Sequence, residues 1–188
     1  TNGADPFSHY YAEILRAEGL NLFEAADLSM LTAELLAGYP VVLLAQAALS
    51  ATQADLLADW VHAGGHLVAM RPDKRLAPLL GLADAGDVLG DGYLLIHTAH
   101  PPGAGLVGET IQFKGTADRY TPRGARSLAT LYRSADTPTS SPAVTWRSVG
   151  DQGGSASAFA FDLARSVVSL RQGNPAWAGQ ERDGLAPT

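Results

Sequence analysis

The side chains in this sequence that are best suited to chemistry are carboxylates, guanidiniums, an imidazole and phenols, which we place at one edge of a predicted sheet. They are His9, Tyr10, Arg71, Asp73, Asp118, Tyr120, Asp162 and Arg165. Ligands of open parallel sheets bind beyond the carboxyl ends of the strands, where we expect these groups to lie. Arginine offers a rigid fork of donors and aspartate accepts from hydroxyls, so the set could bind a polyol or an anionic sugar acid.

Two other interpretations of the same residues stay open. The charges could form a structural ion-pair network that ties loops together, for example between Arg71 and Asp162. Alternatively, a hydrolase could use Asp118, Asp162 or His97 as a general base, with Arg71 as electrostatic stabiliser. Our leading interpretation assigns no catalytic residue.

The sequence predicts neither a metal site nor a cofactor site. His97 and His100 are spaced like a ligand pair, and Asp91 or Glu109 could add an oxygen, but no third ligand follows at a telling spacing. The run Gly103–Gly108 matches the letters of a dinucleotide fingerprint. It precedes a strand-like run rather than a helix, so we interpret it as a loop.

Composition limits the possible partners. The chain has 188 residues, of which 46% are hydrophobic and 17% charged, which is typical of a folded domain. The net charge of −6 disfavours binding to nucleic acid or to anionic lipid. No apolar run approaches the roughly 18 residues that span a bilayer. The absence of cysteine excludes disulfides and thiol nucleophiles, and it leaves the cellular location open.

The clearest structural pattern in the sequence is a βαβ unit. Val41–Ala45 is an apolar run typical of a strand that is covered on both faces. Ser50 and Gln53 fit a capping box at the start of a helix, and Gly64-Gly65 ends that helix. His66–Met70 follows as a second buried strand, and a right-handed crossover would make the two strands parallel.

Elsewhere, apolar periodicity and turn residues predict further elements. Helices are expected over Pro6–Gly19, Leu28–Leu36, Lys74–Leu80 and Asp162–Leu170. Strands are expected over Leu20–Ala25, Tyr93–His97, Thr110–Phe113, Ser127–Tyr132, Ala143–Ser148 and Ser155–Phe161. Together the elements predict an α/β, flavodoxin-like three-layer sandwich, with a parallel central sheet and an antiparallel extension from the C-terminal half. We expect residues 1–170 to form this domain and residues 171–188 to form a polar tail.

The tail carries a candidate interface formed by Arg171, Asn174 and Trp177. A tryptophan among hydrogen-bonding residues suits a packed surface, either against a following domain or against a ligand. Alternatively, Trp177 could cover the core of its own domain.

Several segments, taken in order, resemble the class I glutamine amidotransferase-like superfamily, in its trehalose-utilisation-protein-like and β-galactosidase-trimerisation-like branches. The matching segments are Val41–Ala45, Leu57–Val68, Asp118–Tyr120, Ser127–Ala129, Pro142–Val144 and Gly153–Asp162. The resemblance implies carbohydrate-related surroundings. It also implies a central strand before the first helix, which a preceding segment, another segment or a partner chain would have to supply.

The chain departs from the catalytic members of that superfamily. They place a cysteine after the strand that corresponds to His66–Met70 and a histidine after the last strand, whereas this chain has Arg71 and Asp162. A thioester mechanism needs both missing groups. We therefore expect a non-catalytic module of a larger protein, serving domain or subunit contacts or binding a sugar-like ligand. The expected partners are neighbouring domains, a second copy of the chain or a small carbohydrate.

Overall fold

The computed structural model describes residues 6–171, which form four helices and nine strands. The helices are α1 (Tyr10–Ala17), α2 (Ala33–Ala37), α3 (Ala51–His62) and α4 (Leu163–Arg171), with 3-10 turns at Leu28–Met30 and Lys74–Leu76. The strands are β1 (Val41–Leu44), β2 (His66–Met70), β3 (Leu82–Gly90), β4 (Tyr93–Ile96), β5 (Ile111–Gln112), β6 (Thr116–Pro122), β7 (Arg126–Ser134), β8 (Thr137–Val149) and β9 (Gly154–Phe159).

Seven of the strands form one mixed sheet in the order β1-β2-β9-β8-β7-β4-β5. β1, β2 and β9 are parallel, and every later pairing in that order is antiparallel. β3 and β6 form a separate antiparallel pair. β9, the last strand of the described residues, is therefore inserted beside β2, between the two halves of the sheet.

The flavodoxin-like sandwich expected from the sequence is wrong. The protein has a strand-rich, curled half-barrel in which the antiparallel part is larger than the parallel part. Parallel strands need long crossovers, usually helical, but the described chain forms no α-helix between β2 and the end of β9. The 13-residue β8 pairs along β7 with several register shifts, which bend the sheet.

The predicted βαβ unit is confirmed. Val41 pairs with His66 in a parallel register, and the capping box of Ser50 and Gln53 is present at the start of α3. The predicted stop after α3 also has a steric cause. A Cβ atom on Gly65 would lie 2.3 Å from the ring of Trp60, so the chain can pass this ring closely only without a side chain.

Other predicted elements differ from the structure. The expected strand Leu20–Ala25 is not formed, and Leu22 there is fully exposed. The expected helix Leu28–Leu36 divides into a 3-10 turn and the short α2. β3 and β6 were not predicted, because β3 contains two glycines and two aspartates that are typical of a loop, and a bulge interrupts its pairing.

The main core packs Leu57 and Val61 of α3 against the sheet and continues to Phe113 and Leu131 in its antiparallel half, and all four side chains are fully buried. A smaller cluster of Tyr11, Met70 and Ala164 joins α1 to α4. Met70 ends β2, so this cluster lies at the carboxyl end of a parallel strand and supports the edge where functional groups were expected. Among the helices of residues 6–171, none combines the length and apolar character needed to cross a membrane.

Candidate functional site at the carboxyl edge of the parallel strands

Arg71 begins the candidate site directly after β2. Its backbone N–H donates to the carbonyl of Phe159 at 2.8 Å, so it is held at the carboxyl end of β9 as well. Its φ of +39° lies in the left-handed region, which costs a residue with a side chain about 1–3 kcal/mol. A strained turn of this kind is a feature that surrounding structure must hold in place.

The Arg71 side chain belongs to a charge network, which we define as Arg71, Lys74, Asp84, Asp118 and Tyr120. Asp118 lies between two cations, with Oδ1 at 3.3 Å from an Arg71 Nη and Oδ2 at 3.5 Å from Lys74 Nζ. Lys74 Nζ also contacts Asp84 Oδ1 at 2.9 Å and lies 4.3 Å from the centre of the Tyr120 ring. The network thus alternates the cations of Arg71 and Lys74 with the carboxylates of Asp118 and Asp84, and Lys74 also contacts the face of the Tyr120 ring.

Burial and neighbouring groups shift the pKa values of Lys74, Asp84 and Tyr120. Burial alone would lower the pKa of Lys74, but the hydrogen bond to Asp84 and the nearby Tyr120 and Asp118 raise it overall. The same hydrogen bond lowers the pKa of Asp84. Burial raises the pKa of the Tyr120 hydroxyl. Lys74 therefore keeps its positive charge at neutral pH.

The two-stranded sheet missed by the sequence interpretation positions three members of this network, Asp84, Asp118 and Tyr120. Asp84 on β3 is the register partner of Tyr120 on β6, which also carries Asp118. The Asp118 N–H donates to the carbonyl of Ala160 at 2.8 Å, which fixes β6 against the chain that leaves β9. The β3–β6 pair thus brings its carboxylates to the turn that holds Arg71 and Lys74.

Lys74 and Asp84 were not among the predicted site residues. A signal for Lys74 was available, since it is one of two lysines in the chain and lies three residues after Arg71. Asp84 had no comparable signal, because its position depends on strand pairing between distant segments. Of the predicted set, the structure brings together Arg71, Asp118 and Tyr120.

Asp73 lies beside the network in the chain but serves a different contact. It accepts hydrogen bonds from the backbone N–H groups of Leu49 and Arg75, at 3.0 and 2.9 Å, and forms an ion pair with the Arg75 side chain. Burial would raise its pKa, but these donors outweigh burial and lower it. Asp73 therefore ties the loop before α3 to the turn after β2.

Asp162 forms a second, buried cluster at the start of α4. Its Oδ1 accepts a hydrogen bond from the Tyr11 hydroxyl. The backbone nitrogen of Ala164 lies 3.1 Å from the Tyr11 hydroxyl oxygen and 3.1 Å from Asp162 Oδ1. Burial, followed by the hydrogen bond to Asp162, raises the pKa of Tyr11. The carboxylate that Arg71 contacts is therefore that of Asp118, and the suggested pairing of Arg71 with Asp162 is not formed.

The remaining predicted residues contact aromatic rings near α1. The His9 ring lies 4.0 Å from the centre of the Tyr10 ring, and the Arg165 guanidinium lies 4.8 Å from the centre of the Phe7 ring. Arg171 ends α4 and is exposed, whereas Asn174 and Trp177 lie outside the described residues. The ring contacts of His9 and Arg165 are made with residues outside the charge network.

The histidines considered as metal ligands lie elsewhere. The His97 ring nitrogens are 3.1 Å from the Ser127 carbonyl and 2.9 Å from the Thr130 hydroxyl, so β7 contacts both. Within residues 6–171, histidines and acids do not converge in any group of three that could hold a metal ion.

No protein-family model matches the chain, and no curated protein sequence matches it. Solved structures do share its fold. A β-galactosidase from Bacillus circulans sp. alkalophilus matches with a TM-score of 0.55 and 15% identity, over 73% of this chain and 23% of that chain. An exo-β-1,4-mannosidase from Opitutaceae bacterium strain TAV5 matches with a TM-score of 0.54 and 20% identity, over 75% and 24%.

A third similar structure is a cytoplasmic protein, STM3548, from Salmonella typhimurium. It matches with a TM-score of 0.61 and 14% identity, over 81% of this chain and 74% of that chain. The chain therefore spans about a quarter of the two glycosidases but most of this smaller protein. At these identities the likeness establishes the fold, which occurs both as a part of carbohydrate-acting enzymes and in a smaller protein.

Proposed function

We propose that this chain is a non-catalytic accessory domain of a larger carbohydrate-related protein, and that its charge network binds a sugar-like ligand. We further propose that it is a divergent member of the glutamine amidotransferase-like superfamily, with residues 1–170 as the domain. The observation that carries the proposal is the position of Arg71 at a strained turn, with Lys74 and Asp118 beside it. The superfamily resemblance implies a reactive cysteine at this turn, where the chain has Arg71. The fold's occurrence within two glycosidases supports the carbohydrate connection.

The network's chemistry favours an acidic sugar over a neutral one. The side chains of Arg71 and Asp118 are 26% and 10% exposed, so the guanidinium can be reached from solvent while its partner is largely covered. A ligand carboxylate can share the Arg71 fork with Asp118 in the bidentate geometry that arginine favours. Sugar hydroxyls could then donate to Asp84, which is more exposed.

The competing hydrolase proposal has weaker support. A general base needs a free lone pair near the proton that it removes. Asp118 is engaged by two cations, and both His97 nitrogens contact β7. These contacts favour binding over proton transfer.

Titration calorimetry with galacturonate, an acidic sugar, and with galactose, a neutral one, tests the proposal. Galacturonate should bind more tightly than galactose. We expect galacturonate to bind the unmodified chain and to bind Arg71→Gln at least tenfold more weakly. Arg75→Gln is the matched control, because it removes a nearby arginine that pairs with Asp73 outside the network. Equal galacturonate affinity in both variants would contradict the proposed site. Hydrolysis of chromogenic glycosides that is lost in Asp118→Asn would favour the hydrolase instead.

A further inference from the structure

A second candidate site lies away from the charge network, between α4 and the antiparallel half of the sheet. It is a groove of about 440 Å³ with an almost wholly apolar lining. Its lining includes Leu94, Ile96, Phe113, Leu128, Val144 and Leu170. The rim residues Leu106 and Leu170 are 55% and 47% exposed, so apolar surface is open at the mouth. An open apolar groove of this kind is typical of a surface that is covered by another group.

The polar side chain of Ser166, on the α4 wall of the groove, is already satisfied. Its hydroxyl lies within hydrogen-bonding distance of the Lys114 N–H at 3.1 Å, the Lys114 carbonyl at 3.3 Å and the Asp162 carbonyl at 3.1 Å. A hydroxyl-rich ligand would therefore gain little there. The groove suits a bulky apolar group whose polar atoms stay near the mouth, as an indole can arrange.

We infer that this groove receives the segment 172–188 of the same chain, with the Trp177 ring as its anchor. Arg171 lines the groove and is also the residue after which this segment begins. Trp177 is the sixth residue after Arg171, a separation that an extended chain can span over at most about 20 Å. Trp177 lies in the apolar run Pro175–Ala178 within an otherwise polar segment. The segment therefore has one bulky aromatic side chain, and that side chain is close enough in sequence to Arg171 to reach the groove.

Covalent attachment favours this occupant over a second copy of the chain. A segment tethered at the groove has an effective concentration in the millimolar range, far above ordinary concentrations of a separate molecule. The inference is independent of the proposed sugar site, since the groove shares no residue with the charge network.

Fluorescence of Trp177 tests the inference in the full 188-residue chain. In a Trp60→Phe, Trp146→Phe background, we expect blue-shifted emission that iodide quenches poorly. Leu170→Glu at the rim should shift the emission to the red and raise quenching severalfold. Leu22→Glu is the matched control, because it places the same charge on a fully exposed leucine away from the groove. Water-like emission in the background chain would overturn the inference.

A hydrophobic dye gives a second readout without the background substitutions. The unmodified chain should bind the dye weakly, and Trp177→Ala should increase its fluorescence severalfold, while the control Trp146→Ala should not. Circular dichroism will verify that each variant is folded. Equal dye binding in the unmodified chain and Trp177→Ala would overturn the inference. Protection of Trp177 that disappears on dilution, together with a dimer in light scattering, would also overturn it and assign the groove to a second copy.

Discussion

The hydroxyl of Tyr11 in α1 donates a hydrogen bond to Oδ1 of Asp162, 151 residues further along the chain. The backbone nitrogen of Ala164 lies 3.1 Å from the Tyr11 hydroxyl oxygen and 3.1 Å from Asp162 Oδ1, so the three groups form a closed, buried triangle. The triangle fixes the position of α1 relative to the first turn of α4. It therefore holds together two helices that are far apart in sequence, at the carboxyl edge of the parallel strands.

Tyr11→Phe should lower the free energy of unfolding by about 1–3 kcal/mol, because a buried carboxylate loses a donor while the ring is kept. Urea denaturation followed by circular dichroism measures this change. Tyr10→Phe is the matched control, since Tyr10 is the neighbouring residue and is less buried. If the two variants lose the same stability, the hydrogen bond to Asp162 has no special role.

The chain should lose stability above about pH 10. The pKa values of Tyr11, Tyr120 and Lys74 are raised in the folded protein. Burial raises those of the two tyrosines, whereas for Lys74 the hydrogen bond to Asp84 and the nearby Tyr120 and Asp118 together outweigh burial. A raised pKa contributes stability that is complete below the unfolded pKa, near 10, and is lost as pH rises toward the folded value. Melting temperatures between pH 7 and 11 measure this loss. It should be smaller in Tyr11→Phe, and a decline of unchanged size there would contradict the assignment.

Arg71→Gly should be more stable than Arg71→Ala by about 1 kcal/mol, although both variants lose the ion pair to Asp118. Alanine keeps the strain of a φ of +39°, and glycine does not. At Arg75, which has no positive φ, alanine should instead be the more stable by about 0.5–1 kcal/mol. Chemical denaturation of the four variants decides this, and the same sign at both positions would show that the turn is unstrained.

Gly154→Ala should destabilise the protein by at least about 1–3 kcal/mol, or prevent folding. A Cβ atom there would lie 1.9 Å from the Val61 carbonyl oxygen, which belongs to the backbone of α3 and cannot move freely. Gly108→Ala is the control, because a Cβ at that position meets nothing within 4 Å. Thermal denaturation compares the two. A Gly154→Ala protein with an unchanged melting temperature would contradict the close packing of α3 on β9.

Local patterns in the sequence were enough to predict the βαβ unit. The apolar run of β1, the capping box of Ser50 and Gln53, and the glycines after α3 all act within a few residues of their effects. The sheet type was not predictable in this way. It depends on β9 pairing in parallel with β2, and on β8 pairing with both of its neighbours, and no local pattern records these choices.

The same distinction between local patterns and distant strand pairing separates the site residues that were predictable from those that were not. Arg71 could be placed from the sequence because it directly follows a recognisable strand. The contact between Asp118 and Lys74 could not, because it requires the β3–β6 pair, whose glycines and aspartates are typical of a loop. The pairing that the sequence suggested as an example of an ion-pair network joined Arg71 to Asp162, whereas the structure pairs Arg71 with Asp118.

The insertion of β9 beside β2 has a consequence for biosynthesis. Ser155 lies 89 residues beyond His66, its partner across this junction, so the ribosome must release most of the chain before β2 gains its second neighbour. Contacts between such distant segments slow folding. During that interval a nascent β2 is an unprotected strand that can pair wrongly, and chaperone dependence during translation is the expected physiological result.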